Sequence, residues 1–348
     1  MTLEPPASDF AIRFVDQIPV ITIPRRLTVL EAIRFKEVSC HLLETDLTSA
    51  WLILDFSLTQ FMDSSGIGSL VQILRVAKSK NIQLVLLKVN PNVMSVLSMT
   101  GLDRVFTLQN SLDPLFSTTL PPHQPDANSA KIIAGTGTGG LQPPKTHPSI
   151  RSGLKRAVDI VGALVGLSIT GLIFIPIAIA IKLDSKGPIF FAQTRCGWLG
   201  KTFKMLKFRS MCRNAEALKS QVPNEVEGAI FKNKNDPRIT KVGKFLRQTS
   251  LDELPQFWNV LKGEMSLVGT RPPTPEEVDS YEVPAWQRLD VKPGMTGEWQ
   301  VNGRSKIQNF EDVIKLDLRY QENWSHWYDL QLILKTIFIL FHKNSGAV

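Results

Sequence analysis

Between Lys186 and Arg319 the sequence gathers cations in turn-like contexts rich in Gly and Pro, around the adjacent carboxylates Asp252 and Glu253. Lys204–Met205–Leu206–Lys207–Phe208–Arg209–Ser210–Met211 sets three cations in a short strand-like stretch. Asn235–Asp236–Pro237–Arg238 reads as a turn that presents its Arg. The stretch from Arg247 to Gln256 then carries Asp252–Glu253, with Pro255 close behind. Proline is tolerated only in the first turn of a helix, so the spacing predicts a helix starting near Ser250 to Asp252. The acidic pair then stands at a helix N-terminus, where free N–H groups and the macrodipole also favour phosphate. Taken alone, Asp252 reads as a cap and Glu253 as the partner of Ser250 in a capping box. The company changes that reading. Lys207, Arg209, Arg238, Arg247, Arg271 and Arg304 together can neutralise a diphosphate, which leaves one carboxylate free to attack phosphorus.

The elements around this set point to a membrane. Ile160 to Ile181 is a run of 22 residues without a charge, long enough to cross a bilayer core. Buried helices of soluble proteins rarely run so far without a polar break. The 20 residues before the run hold Lys145, Arg151, Lys155 and Arg156, and the 20 after it hold Lys182, Lys186, Arg195 and Lys201. With no asymmetry of positive charge, both ends prefer the cytoplasm. Pro176 removes one backbone donor within the run, and Gly171 lies nearby, so a re-entrant hairpin is expected. Near the C-terminus, Trp324, Trp327, Tyr328 and a series of Leu, Ile and Phe are interleaved with Lys335, His342 and Lys343. That mix suits an amphipathic helix lying in the membrane interface, and an ordinary core helix would show it nearly as well.

Charge and composition separate this half from the other. Residues 1–120 hold 10 Lys/Arg against 11 Asp/Glu, whereas residues 151–348 hold 28 against 20. The basic half wants an anionic partner, and its apolar run favours a membrane surface and a phosphorylated substrate; nucleic acid is not expected. Cys40, Cys196 and Cys212 are scattered, without metal-ligand or disulfide spacing. Met1 to Phe10 lacks the basic start and apolar stretch of a signal peptide. From Phe10 to Phe116, short apolar runs at Pro19–Ile23, Trp51–Phe56 and Gln83–Val89 alternate with helical patterns over Val29–Leu43, Ser65–Lys80 and Pro91–Met99. Gly101 ends the third helix. Such alternation builds one sheet covered by helices. A Pro/Gly-rich segment follows that buries too little apolar surface to order itself, so it is read as a flexible linker.

From Lys155 to about Ser345 the sequence resembles the bacterial sugar transferases, the monotopic polyprenyl-phosphate phosphoglycosyl transferases. The resemblance is carried by Ile181–Lys182–Leu183–Asp184–Ser185 with Gly187–Pro188, Lys207–Phe208–Arg209–Ser210–Met211 and Thr249 to Gln256. It continues through Ser266–Leu267–Val268–Gly269–Thr270–Arg271–Pro272 and Lys292–Pro293–Gly294–Met295–Thr296–Gly297. It implies that Asp252 is a nucleophile forming a covalent phosphosugar and that Glu253 helps hold Mg²⁺. The implied substrates are a UDP-sugar and polyprenyl (undecaprenyl) phosphate, and the implied role is the start of exopolysaccharide or other glycan assembly. The implied place is the bacterial inner membrane, with the soluble parts on the cytoplasmic side. Where the family carries a Ser–Pro bend this chain has Gly171–Leu172, with Pro176 four residues on.

Phe61–Met62–Asp63–Ser64–Ser65–Gly66–Ile67–Gly68, directly after an apolar strand, resembles the sulfate transporter and anti-sigma antagonist (STAS) domain. That resemblance implies Ser64 as a phosphorylation site and a kinase or signalling protein as partner; a helix cap is the plainer reading of Asp63 and Ser64. The expected architecture is thus an α/β regulatory domain over residues 1–116, a linker over 117–150, and an α-rich monotopic membrane domain over 151–348. That last domain is expected to hold a re-entrant helix within 160–181 and interfacial amphipathic helices. The rival reading is a membrane-anchored signalling scaffold with a degenerate transferase, against which the intact Asp252–Glu253 pair argues.

Overall fold

The computed structural model describes residues 10–45, 49–112, 146–215, 217–218, 222–223, 233, 236–302 and 310–341. The chain forms two compact units, dividing after Thr146.

The first unit runs β1 (Ile12–Val15), β2 (Ile18–Thr22), β3 (Arg26–Leu27), α1 (Val29–Glu44), β4 (Trp51–Asp55), β5 (Phe61–Met62), α2 (Ser64–Ser79), β6 (Gln83–Leu87), α3 (Pro91–Thr100) and β7 (Thr107–Gln109). Five strands make one sheet in the order β1-β2-β4-β6-β7. Its pairings from β2 to β7 are parallel, and β1 runs antiparallel to β2. Helices must therefore carry the chain between the parallel strands, as the alternation of periods predicts. Ile18, Val20, Ile53, Val85 and Leu87 form a core on this sheet. Each helix is capped by its own sequence. Asn90 accepts the Val93 N–H (3.0 Å) ahead of Pro91, and Gly101 closes α3 at φ 76°. At the start of α2, Asp63 Oδ1 accepts the N–H groups of Ser65 (2.9 Å) and Gly66 (3.1 Å). Ser64 and Ser65 beside it are fully buried.

The linker expected over 117–150 lies outside the described residues up to position 145. The second unit starts at His147 and opens with the short helix α4 (Pro148–Arg151). Its spine is α5 (Gly153–Asp184), about 48 Å long at 1.5 Å per residue. This helix is long and apolar enough to cross a membrane. It runs unbroken through Pro176, so the hairpin expected within 160–181 is not seen as a chain reversal. Ser168 and Thr170 bond back to the carbonyls of Leu164 and Gly166 one turn earlier, inside the helix rather than across a bend.

After α5 come β8 (Phe190–Cys196) and β9 (Thr202–Phe208), an antiparallel hairpin. Next are α6 (Lys241–Gln248), α7 (Gln256–Lys262), β10 (Ser266–Val268) and α8 (Pro275–Asp279). The unit ends with β11 (Gly294–Thr296), paired parallel to β10, then α9 (Glu298–Asn302), α10 (Phe310–Glu322) and α11 (His326–Phe341).

One stripe of α5 packs on the unit at three- and four-residue spacings through Lys155, Asp159, Ala163, Gly166 and Thr170, and further on through Ile177 and Ile181. Gly166 lets the Phe257 ring of α7 approach, since a β-carbon there would stand 2.4 Å from it. Polar groups fix both ends. Lys155 donates to Asp329 (2.6 Å) and to the Val268 carbonyl (3.0 Å), while Asp159 accepts Ser266 Oγ and the Leu267 N–H, both at 2.9 Å. At the far end the Val242 N–H reaches Asp184 at 2.9 Å. The other faces of α5 leave Val161, Val165, Leu172, Ile175 and Leu183 exposed, as α11 leaves Trp327, Leu334 and Phe338.

Candidate active site

The acidic pair sits on a 3-10 turn, Leu251–Glu253, and not on the first turn of an α-helix. Pro255 is the reason. It has no N–H to return to Leu251, so the chain closes instead with the three-residue bonds Leu254 N–H to Leu251 O (3.3 Å) and Phe257 N–H to Leu254 O (3.1 Å). The helix proper, α7, begins at Gln256. Ser250 takes a left-handed conformation (φ 55°) and makes no capping bond, so the plainer reading of the pair as a capping box is not met. Glu253 turns instead to β9, where Lys207 Nζ donates to it at 2.8 Å.

Lys207, Glu253 and Arg271 line one cleft of about 540 Å³. Arg195 of β8, Gln256, and Trp299 and Gln300 of α9 complete its polar wall. Phe257, Leu267, Met295, Ile333, Ile337 and Leu340 supply an apolar wall that reaches the two exposed apolar helices. Asp252 lies one residue behind Glu253 and is only 6% exposed. Arg247 is its electrostatic partner. Burial lowers the guanidinium's pKa, and the charge of Asp252 acts against that shift ahead of those of Asp236 and Glu253. Arg247 Nε also donates to Ser210 Oγ at 2.9 Å, which ties the acidic turn to the end of β9.

Arg271 is held from two sides. Its guanidinium makes a bidentate pair with Glu277 (2.6 and 3.0 Å) and lies 5.7 Å from the Trp299 ring. Burial pushes Glu277 up, but Arg271 outweighs it and leaves the carboxyl below its ordinary value. The Arg271 carbonyl accepts Arg288 Nη2 at 3.2 Å, and Arg288 is itself fully buried against Asp317. Arg195 donates to the Pro272 carbonyl at 2.9 Å; burial first, then neighbouring Arg271, lowers it to about 10.

The other expected phosphate ligands are placed elsewhere. Arg209 is buried and donates to the Ser185 carbonyl (2.5 Å) and hydroxyl (2.9 Å), closing the turn that leaves α5. Gly187 at φ 137° leaves room for it, since a β-carbon would stand 2.0 Å from Arg209 Nη1. Arg238 pairs with Asp236 (2.6 Å) and donates to the Ala215 carbonyl (3.1 Å). Arg304 lies outside the described residues. Arg195 and Gln300 were not among the expected site residues; Arg195 stands out in the sequence only as a flanking cation, and it donates to Pro272, 77 residues on. Gln300 carries a buried side-chain oxygen with no hydrogen-bond donor among the described residues.

Among the described residues no three His, Cys, Asp or Glu side chains gather into a metal cage. Two adjacent carboxylates are nonetheless the donor set that Mg²⁺ uses when substrate phosphates and water supply its other ligands. Of the acidic pair, Glu253 is the one that lines the cleft, so it is the donor open to such an ion, in competition with Lys207 at 2.8 Å.

The site thus sets a carboxylate pair on a tight turn beside a cleft lined by cations and by apolar side chains of α11. Residues 150–343, more than half of the chain, match the bacterial sugar transferase family model, and the chain belongs to that family. Residues 9–115 match the STAS domain. The galactosyl transferase CpsE of Streptococcus agalactiae serotype III is 50% identical over 195 residues, which are 56% of this chain and 43% of that protein. The UDP-glucose:undecaprenyl-phosphate glucose-1-phosphate transferase of Escherichia coli is 43% identical over 192 residues, covering 53% of this chain and 39% of that protein. The exopolysaccharide production protein ExoY of Rhizobium meliloti is 38% identical over 189 residues, 53% of this chain and 83% of that protein. The chain thus spans about two fifths of the first two relatives and most of the third.

Proposed function

We propose that this protein transfers a sugar 1-phosphate from a UDP-sugar to undecaprenyl phosphate at the cytoplasmic face of the bacterial inner membrane, starting a glycan. The observation that carries the reading is the cleft that joins Lys207, Glu253 and Arg271 to an apolar wall to which α11 gives Ile333, Ile337 and Leu340, with Gly162 of α5 also lining it. A soluble charged donor and a lipid acceptor need such a junction.

In the proposed chemistry a carboxylate oxygen of Asp252 attacks the β-phosphorus of the donor. The bond from that phosphorus to the bridging oxygen breaks, UMP leaves, and the sugar phosphate remains on the carboxylate. A phosphate oxygen of undecaprenyl phosphate then attacks the same phosphorus and frees Asp252. Lys207, Arg195 and Arg271 line the cleft where the equatorial oxygens gather charge. Arg247, on which the charge of Asp252 acts, sets a cation beside the attacking carboxylate. Glu253 would help hold Mg²⁺, whose chemistry here would be further neutralisation of the diphosphate.

We read α5 as re-entering on one leaflet. In support, both of its ends are hydrogen-bonded to the same polar unit, at Lys155 and at Asp184, and its flanks carry equal positive charge. α11, with Trp327 and Phe338 exposed, is read as an interfacial helix. The STAS domain is proposed as a regulatory module that receives a kinase or another signalling protein.

UMP release from a panel of UDP-sugars with undecaprenyl phosphate tests the reading. Asp252→Asn is expected to lose several orders of magnitude of turnover and the covalent intermediate, whereas loss of a mere cap would cost about 1 kcal/mol of stability. Glu253→Gln is expected to weaken the Mg²⁺ dependence. Near-normal turnover in Asp252→Asn would sink the mechanism, and no turnover by the wild type with any donor would favour a signalling scaffold.

A further inference from the structure

Apart from the cleft, the second unit holds a small cavity of about 60 Å³ where α5 begins. Ser149, Ser152, Lys155, Arg156, Asp159 and Lys292 are among its walls. A void of this size exceeds what one water needs and suits a tetrahedral oxyanion.

Its charges do not balance within the fold. Lys155 is answered by Asp329. Asp159 spends one oxygen on Ser266 and Leu267. Arg156 donates to the Val260 and Leu261 carbonyls (both 2.7 Å) at the end of α7, which leaves part of its guanidinium uncommitted. Lys292 is half-buried and has no hydrogen-bond or ion-pair partner among the described residues. A β-carbon on Gly263 would lie 3.4 Å from Arg156 Nη2 and 3.6 Å from Lys292 Nζ, so the two cationic ends stand within 7.0 Å of each other. Burial lowers the Lys292 pKa, and Arg156 and Lys155 lower it further against Asp159. Two cations held close in a half-buried recess cost free energy unless an anion sits between them.

We infer that this cavity is a phosphate-binding site, separate from the cleft, in which Lys292 and Arg156 take the oxyanion. It lies just before the uncharged run at Ile160, the depth at which a lipid headgroup phosphate would stand if α5 enters the bilayer. A free phosphate has the same chemistry. The lipid source rests on the membrane reading above; the site itself does not.

The experiment uses the full chain in detergent and with vesicles, comparing wild type, Lys292→Met and Lys292→Arg. In one arm inorganic phosphate is titrated and thermal unfolding is followed. In the other, flotation with phosphatidylcholine vesicles is compared with flotation on vesicles that also contain phosphatidylglycerol. Lys292→Met is expected to bind about fivefold more weakly in the arm that matches the natural source, with Lys292→Arg close to wild type. A difference confined to the phosphate arm identifies a free oxyanion, and one confined to phosphatidylglycerol vesicles identifies a headgroup. Equal behaviour of all three proteins in both arms overturns the site. Should Lys292→Met not fold, wild type with isotopically methylated lysines gives the answer, its Lys292 signal being assigned with Lys292→Arg. That signal must shift with phosphate or phosphatidylglycerol, and a fixed signal overturns the inference. Turnover is read in neither arm, so failure here leaves the transferase reading untouched.

Discussion

Replacing Lys155 by Met removes the cation that holds the start of α5 to α11 and leaves its partner behind. Lys155 is 8% exposed and its ammonium lies 2.6 Å from Asp329 Oδ2. Asp329 keeps two further donors, Tyr320 OH at 2.8 Å and Trp324 Nε1 at 3.1 Å, so it is not stripped of hydrogen bonds. It does become a buried charge with no counter-charge, which costs about 3–5 kcal/mol. For a unit of this size each kcal/mol moves the midpoint by about 2–4 °C, so the loss is roughly 6–20 °C. The double variant Lys155→Met/Asp329→Leu removes both charges and should recover most of that loss, because an apolar pair of similar volume often replaces a buried ion pair without penalty. Thermal unfolding of the two single variants and the double, at one detergent concentration and one pH, gives the coupling directly. A Lys155→Met protein within about 1 kcal/mol of wild type, or additive losses in the double, would refute the argument.

Glycine positions along α5 separate packing from helix propensity. Gly166→Ala should lose about 1–3 kcal/mol because its methyl meets the Phe257 ring, whereas Gly171→Ala meets nothing within 4 Å and should be neutral or gain up to about 1 kcal/mol; equal midpoints for the two would refute this. His147 is held below its ordinary pKa chiefly by burial, with Lys155 also acting against the charged form and the bond to the Gln321 carbonyl opposing the shift. Its contribution to stability is therefore complete above pH about 6.5 and is lost as pH falls through the lowered native value. Unfolding midpoints should fall more steeply from neutral pH to about 5 in wild type than in His147→Gln, and parallel curves would refute the assignment. Deleting residues 1–140 should leave UDP-sugar turnover measurable in membranes, since every described residue that lines the cleft lies between Gly162 and Leu340; a folded, membrane-bound but inert truncation would refute that.

Local signals in the sequence were readable where the physics is local. The cap Asp63, Pro91 at a helix start, Gly101 at its end and the helical periods of α1 to α3 stand in the structure as the residue pattern implies. β1 was missed because its four residues are mostly exposed and carry no alternation. The acidic turn was half read: Pro255 does limit the helix, but its effect is to hold Asp252 and Glu253 in a 3-10 turn ahead of α7. Lys207, Glu253 and Arg271, singled out by motif, line one cleft, whereas no spacing along the chain could say that Arg209 and Arg238 donate to the chain itself. Such commitments depend on partners that are far away in sequence or masked by a turn. Lys155 and Asp329 are 174 residues apart, and no pattern along the chain joins them.

The full burial of Ser64 sets a clock on any kinase that acts there. The hydroxyl can be reached only after the first turn of α2 opens, so the modification rate is the chemical rate multiplied by the fraction of time the turn is open. Each 1.4 kcal/mol or so by which the Asp63 cap and its surroundings resist opening slows the response about tenfold. A partner that grips α2 from outside would act as a brake, and one that loosens it would act as an accelerator, without either touching the hydroxyl. Sensitivity to such a signal would then be tuned by substitutions in the sheet and helices of the STAS domain, well away from Ser64 itself.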